Sequence, residues 1–240
     1  PHAEAALRFL LDIYEQEKEW HKAIVIAEKL EELNGSSLQK EIANFYCEMA
    51  ARELMQSRPA DARPHLVQAL AHHRLCVRAN LLLGDVERDL GNRPAAIAAW
   101  QRIESQNPAY LSLVAERLLK AYRDDERADE GLNLLRGYLE KYASVDLLDT
   151  VYQATLAGSG AAAAYRLVRD EVRRTPTLLG LDKLLEAQLL GAPAERRHDL
   201  EMIKQLLHQH TRSLSMYKCE HCGFRARQFY WHCPACGEWE

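Results

Sequence analysis

The stretch Ala79-Asn80-Leu81-Leu82-Leu83-Gly84-Asp85-Val86-Glu87-Arg88-Asp89-Leu90-Gly91-Asn92-Arg93-Pro94-Ala95-Ala96-Ile97-Ala98-Ala99-Trp100, closing at Asn107-Pro108, reads as two helices and a turn. Its first helix carries Leu-Gly in the middle, Gly91-Asn92 breaks the run, and an Ala-Ile opening starts a second helix that Pro108 stops. The feature that matters is whether this unit repeats.

It does. Thr175-Pro176 follows Asn107-Pro108 by 68 residues, and the small residues Ala23, Ala62, Ala96, Gly131 and Ala164 succeed one another at 39, 34, 35 and 33. Small side chains are needed there because the two helices of a pair cross closely, and a larger group would force them apart. The unit resembles a tetratricopeptide repeat, whose period of about 34 residues those spacings approach. The irregular first gap reads as an insertion around Leu54 to Ala60. Helix ends agree with the division. Asn34-Gly35 is a stop, Ser36-Ser37-Leu38-Gln39 matches a capping box, and Ser144 can cap the next helix with Asp146 in its first turn. Leu111, Val114, Leu118 and Tyr122 share one helical face, which is a core stripe.

The expected architecture is therefore all-α: a right-handed tetratricopeptide-repeat superhelix over residues 1–212, with a small metal-binding β-hairpin unit over 213–240. The helical part has about five repeats, the first incomplete, and is closed by a helix near Glu195 to His210. Each unit stacks on its neighbours, and the first helices line a concave surface of the kind that binds other proteins.

Composition excludes several functions. At 48% hydrophobic and 28% charged the chain is an ordinary globular one, and it holds no apolar run of membrane-spanning length. A net charge of −4, without a Lys/Arg run of five, disfavours nucleic acid. The chain opens Pro1-His2-Ala3-Glu4, already in helical pattern, so residues upstream are expected to be missing, and an anchor could be among them.

Candidate catalytic motifs fail on context. Gly158-Ser159-Gly160-Ala161-Ala162-Ala163 fits G-x-G-x-x-A with Asp182 beyond it, but Thr150 to Ala154 reads as helix, so this is a turn between helices. Asp124-Asp125-Glu126 is a solvated turn. His72-His73, His208 and His210 lack the i,i+4 spacing of a helical metal site. No HExxH, GxSxG or P-loop occurs, and no catalytic residue is assigned.

The end of the chain differs in kind. Cys219-Glu220-His221-Cys222-Gly223 and Cys233-Pro234-Ala235-Cys236-Gly237 are two CxxCG knuckles ten residues apart. In such a knuckle both thiolates face one ion, and glycine supplies the left-handed turn that lets backbone N–H groups point at sulfur. Cys219, Cys222, Cys233 and Cys236 are the expected tetrahedral ligands of one ion, zinc or iron, with His221 an exposed knuckle residue. Cys47 and Cys76 stand alone in helical segments as buried thiols, and CxxC pairs without a secretory leader favour metal in a reducing compartment. A unit of about 25 residues cannot bury enough surface to fold alone, so the metal supplies its folding energy. Short strands are expected near Leu214–Lys218 and Arg225–Trp231. Phe224, Phe229, Tyr230, Trp231 and Trp239 exceed what so small a hairpin can bury and should pack onto the repeats.

Tyr217 to Phe224 and Trp231 to Gly237 resemble the two knuckles of rubredoxin, although rubredoxins carry a longer acidic insert between them. Helical repeats running into this short knuckle pair, with Phe-Tyr-Trp-His-Cys-Pro-x-Cys at its centre, resemble the lipopolysaccharide assembly protein B family. Ile42-Ala43-Asn44-Phe45-Tyr46-Cys47-Glu48 is similar to the same family's pattern. The resemblance implies a non-enzymatic adaptor, anchored in the bacterial inner membrane by an N-terminal segment and facing the cytoplasm. It also implies the FtsH protease, the LpxC deacetylase and other lipopolysaccharide assembly proteins as partners, with degradation of LpxC as the outcome. A rubredoxin-type electron carrier and a general tetratricopeptide-repeat scaffold are the rival expectations, and pairing into a homodimer stays open.

Overall fold

The computed structural model describes residues 2–211 and 217–239. Among them are twelve α-helices: α1 (His2–Gln16), α2 (Trp20–Asn34), α3 (Gln39–Met55), α4 (Pro59–His72), α5 (Val77–Asp89), α6 (Arg93–Gln106), α7 (Leu111–Asp124), α8 (Ala128–Lys141), α9 (Val145–Ser159), α10 (Ala161–Arg174), α11 (Leu178–Leu190) and α12 (Ala194–Thr211). A 3₁₀ turn spans Pro108–Tyr110. Strands β1 (Tyr217–Lys218) and β2 (Arg225–Ala226) pair antiparallel, Tyr217 opposite Ala226 and Lys218 opposite Arg225. The helices pack as consecutive pairs, α1 with α2 through α11 with α12. Two compact units result, Pro1–Tyr110 with Trp239, and Leu111–Glu238 with Glu240.

In the first unit the small residues sit where the repeat pattern requires them, with Ala23, Ala62 and Ala96 wholly buried in α2, α4 and α6. Gly84 in α5 faces the fully buried Trp100 of α6, whose Nε1 donates to the Leu81 carbonyl at 3.2 Å. Leu-Gly in the middle of the first helix is thus the mould for an indole. Gly35 ends α2 with φ +68°, in the left-handed region that glycine adopts without strain.

Two local expectations are corrected. The long first gap is not an insertion between Leu54 and Ala60: α3 runs 17 residues against 13 in α5, so most of the excess is an added turn of helix. Glu53, near the C-terminal end of α3, is buried, and its carboxylate accepts from Arg58 at 2.5 Å. Nor does Ser36 cap α3. The helix starts at Gln39, and the Glu31 carboxylate of α2 accepts from the Leu38 N–H at 2.5 Å and the Gln39 side chain at 2.6 Å. Ser36 instead donates its N–H and Oγ–H to Asn34. The left-handed turn at Gly35 folds the chain back, so a carboxylate from the preceding helix fills the anion-favouring N-terminus of α3.

Trp239 belongs to this first unit. It is 5% exposed, 6.3 Å from the Trp20 ring and 6.1 Å from Phe45; the Arg78 guanidinium lies over it at 5.6 Å, and Lys40 Nζ donates to its carbonyl. Burial, reinforced by the charge of Asp12 and opposed by the Trp239 side chain, raises the Glu15 carboxyl from 4.5 to about 7. The folded state therefore keeps a proton that the unfolded chain gives up in this window. Stability present below about pH 4.5 is lost as pH rises to about 7. Glu15→Gln is expected to flatten that slope by on the order of 1 kcal/mol, a value discounted because the carboxyl keeps part of its water; urea unfolding at about pH 5 and about pH 8 measures it.

In the second unit Ser144 caps α9, its Oγ accepting from the Leu147 N–H at 3.2 Å, with Asp146 in the first turn. Leu111, Val114, Leu118 and Tyr122 are buried on one face of α7, and Ala164 is wholly buried in α10. Gly160, at φ +80°, alone joins α9 to α10: Gly158 and Ser159 end the first helix and Ala161 to Ala163 open the second, so the interhelical turn expected over this run is one residue long. Both helices of the first pair are present, and the helix expected near Glu195 is the second member of a further pair, α11 and α12. Thr177 Oγ1 caps α11 through the Gly180 N–H. This sixth pair lacks the marker that betrayed the others: 34 residues beyond Ala164 stands His198. Among the described residues no helix is long and apolar enough to cross a membrane.

Candidate metal centre

Each knuckle is built by the same two backbone hydrogen bonds. In the first, the Cys219 N–H donates to the Phe224 carbonyl at 2.8 Å and the Gly223 N–H to the Cys219 carbonyl at 2.9 Å; in the second, Cys233 donates to Glu238 and Gly237 to Cys233, both at 2.9 Å. Gly223 and Gly237 take φ +78° and +73°, so a side chain at either position would strain the turn. The effect is to bring residues 17 apart in sequence to one point. All four sulfurs lie within 4.8 Å of one another, with Cys219 to Cys236 at 3.8 Å and Cys222 to Cys233 at 3.7 Å.

These distances test the expected group. Sulfurs bonded at about 2.3 Å to a central zinc in a tetrahedron stand about 3.8 Å apart, which is the spacing found. The all-sulfur donor set suits a thiophilic ion, zinc or iron. The field is prepared for thiolates. Cys219 is lowered chiefly by the Cys222 N–H, with that of His221 assisting. At Cys233, burial opposes ionisation, but the N–H groups of Ala235 and Cys236 and the adjoining thiols bring it down to about 7. Cys236 is pushed up to about 12: the Glu238 N–H favours its thiolate, and burial and the other three thiols outweigh it. Four negative sulfurs so close together need a cation among them. The four cysteines can thus hold one metal ion. His221 points elsewhere, its Nδ1 lying 3.6 Å from a Glu238 carboxylate oxygen.

The surrounding hairpin is shorter than expected. Residues 214–216 of the first strand lie outside the described residues, and the second ends at Ala226 instead of Trp231. Beyond it the chain bends so that Phe229 meets Trp231 edge to face at 4.7 Å and Tyr217 at 5.5 Å, while Phe224 and Tyr230 make a looser pair. Four of the five surplus aromatics are therefore used around the knuckles, and Trp239 enters the core of the first unit.

The remaining sequence candidates are not part of the four-sulfur group found among the described residues. His72 Nδ1 lies 2.8 Å from Gln39 Oε1, His208 is 3.7 Å from Asp182, and Asp125 and Glu126 form a turn. Sequence reasoning missed one pair: Cys47 of α3 and Cys76, which precedes α5, meet in the core with sulfurs 4.0 Å apart. Their separation of 29 residues matches no ligand spacing, and only the stacking of α3 on α5 brings them together.

A family model described as a rubredoxin metal binding domain, of the zinc-ribbon type, matches residues 217–240. The chain is 30% identical over 235 residues to lipopolysaccharide assembly protein B of Escherichia coli (strain K12), covering 98% of this chain and 60% of that protein. The protein of the same name from Haemophilus influenzae is 29% identical over 241 residues, with 99% and 60% covered. The chain thus spans 60% of the length of the curated relatives it matches. Among solved structures, the C-terminal part of a TPR repeat-containing protein from Cytophaga hutchinsonii superposes with a TM-score of 0.51 at 10% identity, over 87% of this chain and 81% of that one, which supports the repeat fold.

Proposed function

We propose, from the premise that a chain homologous along 98% of its length to lipopolysaccharide assembly protein B shares that protein's work, that it is a repeat-built adaptor in lipopolysaccharide assembly. Its finer role is to present the LpxC deacetylase to the FtsH protease on the cytoplasmic face of the inner membrane, the whole protein being anchored there. The observation that carries this reading is joint similarity: helical repeats and the four-cysteine unit occur in one chain, in one order, over nearly its entire length. The repeats supply extended surface for protein partners. Cys219, Cys222, Cys233 and Cys236 hold one zinc ion, whose contribution is to fold the terminal unit rather than to carry electrons.

The experiment is a pull-down of the full-length protein from membranes, with metal analysis of the same sample. Co-recovery of FtsH and LpxC, about one zinc per chain, and LpxC rising several-fold when the protein is depleted are the expected results. Unchanged LpxC turnover on depletion would sink the adaptor reading. A red sample that bleaches reversibly on reduction would replace zinc with electron-carrying iron.

A further inference from the structure

The buried thiols Cys47 and Cys76 are unused by the metal centre. Cys47 lies inside α3 with no exposed surface; Cys76 is the residue before α5 and is 6% exposed. Their sulfurs are 4.0 Å apart, joining the first helices of successive pairs. The two thiols differ in environment. Cys76 stands at a helix N-terminus, where the N–H groups of Arg78 and Ala79 point at its sulfur and the Arg78 guanidinium is near. Its hydrogen bond with Cys47, ahead of those N–H groups, brings it down to about 7, while burial pushes Cys47 up. One sulfur is therefore prepared as a nucleophile and the other is kept as a thiol beside it.

We propose that Cys47 and Cys76 form an oxidant-modification site, in which a peroxide converts the pair to a disulfide tying α3 to α5. The Cys76 thiolate attacks one peroxide oxygen, the O–O bond breaks, and hydroxide leaves from a Cys76 sulfenic acid. The Cys47 sulfur then attacks the Cys76 sulfur, the S–O bond breaks, and the thiol proton leaves with the oxygen as water. Two thiols are oxidised by two electrons and one peroxide is reduced. The sulfurs must approach by about 2 Å, and Cys76 can move because it lies ahead of the regular helix. That motion has a consequence within the first unit. Arg78, two residues on, pairs with Glu48 at 2.5 Å and lies over the Trp239 ring, so closing the bridge shifts the cation that covers that tryptophan.

The test uses the zinc-loaded chain treated with hydrogen peroxide, followed by alkylation and peptide mapping without reductant. The expected result is near-complete loss of alkylatable Cys47 and Cys76, recovery of one linked peptide pair lacking two hydrogens, and reversal by dithiothreitol. Cys47→Ser should stop the reaction at a Cys76 sulfenic acid that dimedone traps. The wild-type map decides the matter by itself if that variant fails to fold. Peroxide that oxidises Cys219, Cys222, Cys233 and Cys236 while Cys47 and Cys76 stay alkylatable would overturn the proposal, as would oxidation of Cys76 without linkage in the wild type.

Discussion

Gly84→Ala is expected to destabilise the first unit by about 3 kcal/mol, a large effect for one methyl group. An added Cβ would stand 2.1 Å from Trp100 Nε1, 2.4 Å from Cδ1 and 2.5 Å from Cε2, so it collides with one edge of a single ring. The ring has nowhere to go. Trp100 is fully buried, and moving it would break the hydrogen bond to the Leu81 carbonyl. Gly137 supplies the control, because in α8 a Cβ there meets nothing within 4 Å. Gly137→Ala should instead stabilise by up to about 1 kcal/mol, since alanine is the better helix former. Urea unfolding followed by tryptophan fluorescence measures both, and equal effects would show that Gly84 is not shaped by the indole.

Replacing Cys233 and Cys236 together with serine is expected to take metal content from one ion per chain to none and to unfold residues 217–238. The described part of this unit has only two two-residue strands and a few partly exposed aromatics, too little to hold four thiols within 4.8 Å without an ion. Chelation of the wild type should produce the same loss of amide protection, reversed by added zinc. Acid should do likewise, because the ligands must be thiolates. If metal disappeared while amide exchange at Cys219 and Gly237 stayed as slow as before, the ion would have no part in folding.

Much of this was legible from residue spacing. The small residues from Ala23 to Ala164 marked the crossing points of five helix pairs, and glycine-ended CxxC pairs marked the four-sulfur cluster before any coordinate. Both signals survive because they answer hard constraints: close backbone approach in one case and left-handed turns in the other. What stayed hidden depends on tertiary contact. His198 gives no sign that α12 pairs with α11. Ser36 looks like a cap until Glu31 arrives from another helix. Cys47 and Cys76 look solitary because their meeting is decided by how α5 stacks on α3, and no local pattern records that.

The carboxylate of Glu31 has a bearing on cooperativity. A helix that borrows its N-terminal acceptor from the preceding repeat loses that acceptor when the preceding helix melts, so melting of α2 weakens the start of α3. In the language of one-dimensional arrays, this single side chain adds to the nearest-neighbour coupling and not to the intrinsic stability of either repeat. Melting that begins at α2 therefore also strips the start of α3 of its acceptor, which couples the first two pairs.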